Sequence, residues 1–358
     1  MSSLLELLES LGDQGALAFG GLVVGALFGF FAQRSRFCLR AAVIEVARGQ
    51  LGGKLAVWLF AFSAAVVTTQ LLALLGQFDT ANVRQLASRG SISGALIGGL
   101  MFGAGMILAR GCSSRLLVLA ANGNLRALLS GLIFAVTAQA SMGGMLTPLR
   151  EAIGNLWTID GGHARDLLAL IGMGNSGGIA FGLVWLMAGV FFAFRARIRP
   201  WGWIGGLGVG IMVAAAWWFN FTMARLSFDP APVKSLSFTG PAADMLMLVL
   251  SPPGQALNFD HGMIPGVFLG SFLAAWLARE LKLEGFEGGA AMRRYIVGAV
   301  LMGFGGMLAG GCAVGAGVSG AAVFALTAWI TLCGMWAGAA LTDWLIDRRR
   351  PGPPAAHP

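Results

Sequence analysis

Charge is scarce in this 358-residue sequence: Asp, Glu, Lys and Arg together make up only 11% of it. Soluble domains carry about 25%, so an ordinary soluble enzyme is excluded. Tyrosine occurs once and histidine three times, at positions 163, 261 and 357. No His/Cys/Asp/Glu group has metal-ligand spacing, and no cofactor or metal is expected. The four cysteines, at 38, 112, 312 and 333, are too few and too scattered for a disulfide scaffold. No C-x-x-C occurs, which argues against thiol oxidase chemistry, because that needs a nearby pair. No G-x-x-x-x-G-K-[ST] occurs, which argues against ATP drive.

What is abundant is apolar surface and glycine: 57% of residues are hydrophobic and 55 are glycine. The low charge and high glycine content point to an all-α polytopic membrane protein whose helices pack closely or break. A spanning helix needs about 20 mostly apolar residues. Nine candidates are visible: 16–33, 54–75, 91–109, 126–146, 177–194, 201–222, 262–280, 294–310 and 323–346. No charge occurs from Tyr295 to Thr342, which is too long for one span, so the chain must turn near Gly310–Gly320. No cleavable leader is expected, since Glu6, Glu9 and Asp13 precede the first apolar run.

The net charge of +8 would suggest nucleic acid in a soluble protein. Here the basic residues sit between apolar runs, so a bilayer is the expected partner and nucleic acid is not. Of the 24 Lys and Arg, eighteen fall on one side of a nine-span topology and six on the other. The positive-inside rule then places the N-terminus outside and the C-terminal tail, 347–358, in the cytoplasm.

An internal repeat emerges on comparing GGLMFGAGMILARGC (98–112) with GAVLMGFGGMLAGGC (298–312). At an offset of 200, seven of the fifteen positions are identical, including the final Gly-Cys. The offset maps span three onto span eight, and an odd displacement inverts the topology. The chain then reads as repeat one (16–146), a linking helix (177–194) and an inverted repeat two (201–346) within one membrane domain. Such inverted repeats characterise transporters, with the substrate between the halves. A fainter match aligns SRFC (35–38) with LSFT (236–239), setting Cys38 opposite Thr239.

The segments after Cys112 and Cys312, 116–121 and 313–322, are too short to span. They fit re-entrant hairpins from opposite faces, which survive only where protein or water surrounds them. Gly111 and Gly311 precede the two cysteines and are expected to permit the turn and to lie where a side chain has no room. Gly21, mid-span in the first helix, is expected to tolerate one better. Helix starts favour anions, and a thiol suits a sulfur-containing substrate. The plainer reading of each cysteine is a small buried apolar residue, and it fits Cys333, which lies inside the last span. Arg36 with Arg34, and Arg110 with Arg115, flank Cys38 and Cys112. They fit either an anion-attracting mouth or topology-setting charge. Ser237–Pro241 reads as a loop feeding a short half-helix at 242–250, or as an ordinary external loop.

The runs FGFFAQRSRFC (28–38), GAGMILARGCSSR (103–115), SFTGPAAD (237–244) and GFGGMLAGGCAVGAG (303–317) together resemble the YeeE/YedE sulphur-transport family of bacterial inner-membrane proteins, over roughly 16–346. The resemblance implies an hourglass-shaped bundle with re-entrant helices at a narrow waist. It implies thiosulfate uptake, with three path-lining cysteines that match Cys38, Cys112 and Cys312. A small soluble TusA-like sulfur carrier on the cytoplasmic side is an implied partner. Some relatives are linked to selenium, so a selenium-related substrate stays open. The expected activity is import of thiosulfate or a similar small sulfur anion, not catalysis, passed from Cys312 to Cys112 to Cys38. A membrane sulfur-transfer enzyme forming a cysteine persulfide is the alternative.

Overall fold

The computed structural model describes residues 2–80, 83–227, 232–286 and 288–348, with side chains from residue 12 onward. The expected tail therefore lies almost wholly outside the described residues. The described residues are mainly α-helical, with one two-residue antiparallel pairing, Gly90–Ser91 with Thr158–Ile159, and isolated bridges such as Val83 with Val233. Its first half contains α1 (Ser2–Ser35), α2 (Leu39–Ala47), α3 (Gly53–Leu74), α4 (Arg84–Ala87), α5 (Ile92–Leu108), α6 (Ser113–Ala121), α7 (Leu125–Gly143) and α8 (Thr147–Gly154). Then come α9 (Leu167–Ile171), α10 (Asn175–Arg195), α11 (Pro200–Leu226), α12 (Thr239–Leu250), α13 (Phe259–Leu277), α14 (Gly289–Leu308) and α15 (Leu326–Thr342). Wider π-helical turns occupy Gly315–Gly320 and Asp343–Asp347.

Among the described residues, seven helical segments are long and apolar enough to cross a membrane. The chain is thus a multi-pass helical membrane protein. Helices α13 and α14 fall outside that seven, since each carries charge in its first turns (Asp260; Arg293 and Arg294), yet both pack within the bundle. Several helix starts are explained locally. Ser91 and Asn124 accept the amides of Gly94 and Ala127 as N-caps. Asn258 and His261 form a reciprocal capping box on α13. Pro200 opens α11, where its missing N–H costs nothing.

Glycine sets the packing. Gly21, Gly25 and Gly29 of α1 lie on the backbone of Phe259, Met263 and Val267 in α13, while Gly262, Gly266 and Gly270 lie on Ala18, Leu22 and Ala26. This four-residue spacing of small residues is the close-approach seam of membrane helices, and its rising register makes α1 and α13 parallel. Corresponding contacts make α11 parallel to α3 (Gly206 on Val57, Gly210 on Ala61) and α15 parallel to α5 (Gly99 on Thr331, Gly103 on Met335). By contrast, α14 runs antiparallel to α5, with Gly98 on Gly305 and Gly105 on Gly298. Helix α10 is antiparallel to α3, with Gly182 on Val66 and Gly189 on Leu59. Gly21 is therefore among the tightest sites, not a tolerant one: a Cβ there would stand 2.0 Å from the Phe259 carbonyl oxygen.

Four helices end alike. Arg36, Arg110, Arg197 and Arg279, following α1, α5, α10 and α13, all adopt positive φ (54°, 56°, 47° and 56°). Each sits at the left-handed position of a Schellman closure, as in the bond from Gly111 N to Met106 O at 3.1 Å. Glycine usually occupies this position, and an arginine there costs about 1 kcal/mol or more. Ion pairs gather at this end of the bundle: Arg36–Glu280 (3.4 Å), Arg48–Asp343 (2.7 Å) and Arg294–Asp347 (2.7 Å). Hydrogen bonding to buried Asp343 raises the pKa of the Arg48 guanidinium. At the opposite end, Lys234 pairs with Asp260, and Arg165 donates to Thr327 Oγ1 at 2.6 Å.

The seam gives a direct test. Gly270→Val, with its side chain forced into the Ala26 backbone, is expected to cost about 1–3 kcal/mol or more. Gly131→Val, where nothing lies within 4 Å, is expected to be neutral. Thermal unfolding of the purified variants in detergent separates them, and equal midpoints would dissolve the seam.

A candidate cysteine-lined path

Four short helical segments interrupt the bundle, and each begins at or beside a site residue. Cys38 is the N-cap of α2 and Cys112 the N-cap of α6, both in extended conformation. Thr239 opens α12. The π-helical turn at 315–320 follows Cys312, whose carbonyl accepts Ala316 N at 2.8 Å. The segments after Cys112 and Cys312 form short helices, and the expected half-helix is α12, which starts at Thr239 and so takes in the last three residues of the expected loop 237–241. Helix α2 has no counterpart among the expected elements. SRFC and LSFT both end beside the start of a short helix, Cys38 as the N-cap of α2 and Thr239 as the first residue of α12.

Cys112 and Cys312 are both 0% exposed, Cys38 is partly buried, and Cys333 is exposed on the outer surface of α15. The Cys38 and Cys112 side chains lie close enough to influence each other although 74 residues apart in sequence. Cys112 Sγ also lies 3.4 Å from Ser114 Oγ. Cys312 makes its contacts elsewhere. Its sulfur accepts the amides of Phe238 at 3.2 Å and Gly315 at 3.3 Å, with Ser237 Oγ 4.0 Å away. Two backbone donors thus occupy the acceptor side of the sulfur. Two hydroxyls pin the 235–238 segment in place. Ser235 Oγ donates to Val213 O at 2.7 Å, and Ser319 Oγ donates to Leu236 O at 2.7 Å.

The glycines before the cysteines act differently from the expectation. Neither Gly111 nor Gly311 adopts positive φ; the left-handed residues are Arg110 and Gly310 (φ 77°), one position earlier. The Schellman closure explains this, because its left-handed residue is the first after the helix cap and the next only supplies an amide. The two also differ in crowding. A Cβ at Gly311 would stand 2.9 Å from Ala316 N, whereas one at Gly111 would meet the Leu116 side chain first, at 3.2 Å.

Arginines surround the Cys38–Cys112 end. Arg115 Nη1 donates to Gln33 Oε1 (3.2 Å), Gln33 Nε2 donates to Glu280 (3.0 Å), and Glu280 pairs with Arg36. Arg110 faces the Tyr295 ring at 6.0 Å, on which Arg126 also rests at 4.9 Å. Arg40, which sequence reasoning passes over, lies beside Cys38, with its nearest carboxylate contact Asp347 at 3.9 Å. Its only sequence signal is its position two residues after Cys38. A surface cavity of about 490 Å³, lined by Trp276, Leu277, Arg279 and Leu281, lies at the end of α13 and touches none of the cysteines.

Sequence comparison places this arrangement among known proteins. The family model described as "Sulphur transport" matches residues 34–341, and the chain belongs to that family. It is 23% identical to an Escherichia coli (strain K12) protein named "Thiosulfate transporter TsuA", over 92% of this chain and 95% of that protein. It is 27% identical to a Spirochaeta thermophila protein of the same name, over 92% and 99%. A stretch covering 24% of the chain is 38% identical to the E. coli protein named "Probable transporter YedE".

Burial orders the thiols. In detergent, N-ethylmaleimide is expected to modify Cys333 first, Cys38 more slowly, and Cys112 and Cys312 last, as read by mass spectrometry of timed digests. Modification of Cys312 at the rate of Cys333 would contradict the closed geometry at Phe238.

Proposed function

We propose that this protein imports thiosulfate, or a closely related small sulfur anion, across the bacterial inner membrane as a transporter and not an enzyme. The observation that carries the reading is the meeting of Cys38 and Cys112 at two helix starts, with Cys312 at a third. Family membership and the names of the two full-length relatives agree with it.

We read the fold as nine spans in two inverted repeats, 16–146 and 201–346, joined by α10. The packing supports this. At the 200-residue offset the Gly98–Gly305 contact becomes Gly298–Gly105, and both occur. Three pairings have counterparts: α1 with α13 matches α11 with α3, α5 with α15 matches α14 with α7, and α2 with α3 matches α12 with α13. The relative directions of the helices fit strict alternation of nine spans. The arginine-closed ends are then cytoplasmic, the N-terminus is outside, and the tail 347–358 is inside.

Substrate arrives at Cys312 from the outer side. A neutral thiol is a weak donor, so the anion is held loosely enough to leave, as conduction requires. The amides at the starts of α12, α6 and α2 add partial positive charge along the route. The adjoining Cys112 and Cys38 receive the anion next, and Arg36, Arg40, Arg110 and Arg115 draw it to the cytoplasmic mouth. Cys38, the more exposed thiol of the inner pair, is the point of hand-over to a TusA-like carrier. Gly311 keeps the outer turn compact.

Proteoliposomes holding the purified protein test this with thiosulfate labelled separately on its inner and outer sulfur. Both labels are expected inside in equal amount. Loss of one would favour persulfide transfer. Cys112→Ala and Cys312→Ala are each expected to cut the rate at least tenfold at equal protein levels, and Cys333→Ala to leave it unchanged. Wild-type rates in either of the first two would remove that thiol from the path.

Orientation has its own test. A reporter fused after Arg350 should report cytoplasm, and one inserted within 225–234 the outer side. The same side from both would break the nine-span reading.

A further inference from the structure

Each end of the thiol path carries a buried hydroxyl that the protein leaves without a partner. Thr239 is 1% exposed, and among the described residues its Oγ1 has no hydrogen-bond partner. Ser113 is 5% exposed, and its Oγ is likewise unpaired. Threonine and serine in membrane helices ordinarily donate back to a carbonyl one turn earlier, as Thr137, Ser141 and Thr342 do here at 2.7–2.8 Å. Thr239 and Ser113 stand at the first residue of α12 and α6, where no earlier turn exists to accept them. An unpaired buried hydroxyl costs free energy, so both positions ask for a reason.

Their neighbours supply one. Thr239 follows Phe238, whose amide holds Cys312 Sγ at 3.2 Å, and Ser113 follows Cys112. The space around Thr239 is kept open by a glycine on the facing helix: a Cβ at Gly306 would stand 2.8 Å from Oγ1 and 3.0 Å from Cγ2. The alignment that sets Thr239 opposite Cys38 adds that one position carries a hydroxyl at the outer end and a thiol at the inner end. Thiosulfate is itself two-ended. Its terminal sulfur is soft and suits a thiol, whereas its three oxygens are hard acceptors that suit O–H and backbone N–H donors.

We propose that Thr239 and Ser113 bind the oxygen end of the anion, so that each subsite pairs a thiol for the sulfur with a hydroxyl for the oxygens. The inference rests on the transport reading above and adds to it the groups that recognise the sulfonate-like end. It makes Thr239 a specificity-determining residue of the outer subsite, with Cys312. Ser113 holds the same role with Cys112.

The test is labelled-thiosulfate uptake by full-length protein in proteoliposomes, read as KM and maximal rate. Thr239→Val keeps the shape and removes the donor. It is expected to raise KM about tenfold, the change that about 1.4 kcal/mol produces, with little change in thermal midpoint. Thr239→Ser restores the donor and is expected to return KM to within about twofold of the wild type. Gly306→Ala, which pushes a methyl against the hydroxyl, should raise KM with Thr239 intact, and it serves as the probe if Thr239→Val does not fold. Ser113→Ala is expected to slow transport several-fold. An unchanged KM in Thr239→Val, or equal impairment in Thr239→Val and Thr239→Ser, overturns the outer assignment. Wild-type transport by Ser113→Ala overturns the inner one. A wild-type protein that moves no thiosulfate would sink the transport reading instead, and is told apart by that alone.

Discussion

Backbone polarity inside a bilayer is the constraint on which the rest of this structure depends. A broken helix leaves amides and carbonyls that hydrocarbon cannot solvate. Four short helical segments start inside this bundle, and protein groups take up backbone polarity around them. The amide of Phe238 finds Cys312 Sγ, the Leu236 carbonyl finds Ser319, and the Cys112 carbonyl finds Leu116 N. Sulfur does part of this work. Cys312 is an acceptor that completes the backbone at two amides.

The wrapping is possible because glycine lets helices approach to backbone contact. The α1–α13 seam and its counterpart between α11 and α3 hold the bundle with almost no side chain between helices. Lipid offers no hydrophobic drive for helix association, so such close packing supplies van der Waals contact instead. Aromatic rings pack beside the short helices: Phe28 lies 5.5 Å from Phe238, and Phe78 lies 5.5 Å from Trp217.

Much of this is legible from sequence. Long apolar runs identify helices because a bilayer rewards little else, and the observed helices lie within a few residues of most expected runs. The paired Gly-Cys motifs mark both breaks because the repeat offers each a second copy. The tight face of α1 is hidden: a glycine mid-helix looks the same whether lipid or a carbonyl opposes it, so the sequence makes Gly21 look tolerant when it is not. Glycine is the usual left-handed residue, which points to Gly111, while Arg110 takes the strained position. The meeting of Cys38 with Cys112 is a tertiary fact, and in the sequence only the family resemblance groups those thiols.

The four left-handed arginines carry a consequence for how this protein came to be. At each of Arg36, Arg110, Arg197 and Arg279 a glycine would relax the backbone. The chain uses glycine at the matching turn after α14, at Gly310, so the option was open to it. A charge at a helix end is read during insertion, before tertiary packing exists, whereas the strain is felt only once the helix closes. At these four residues a charge available to insertion comes with a backbone strain that only the folded state feels. This is frustration in time, not in space: the charge is present before the helix closes, and the strain arrives only with the finished fold.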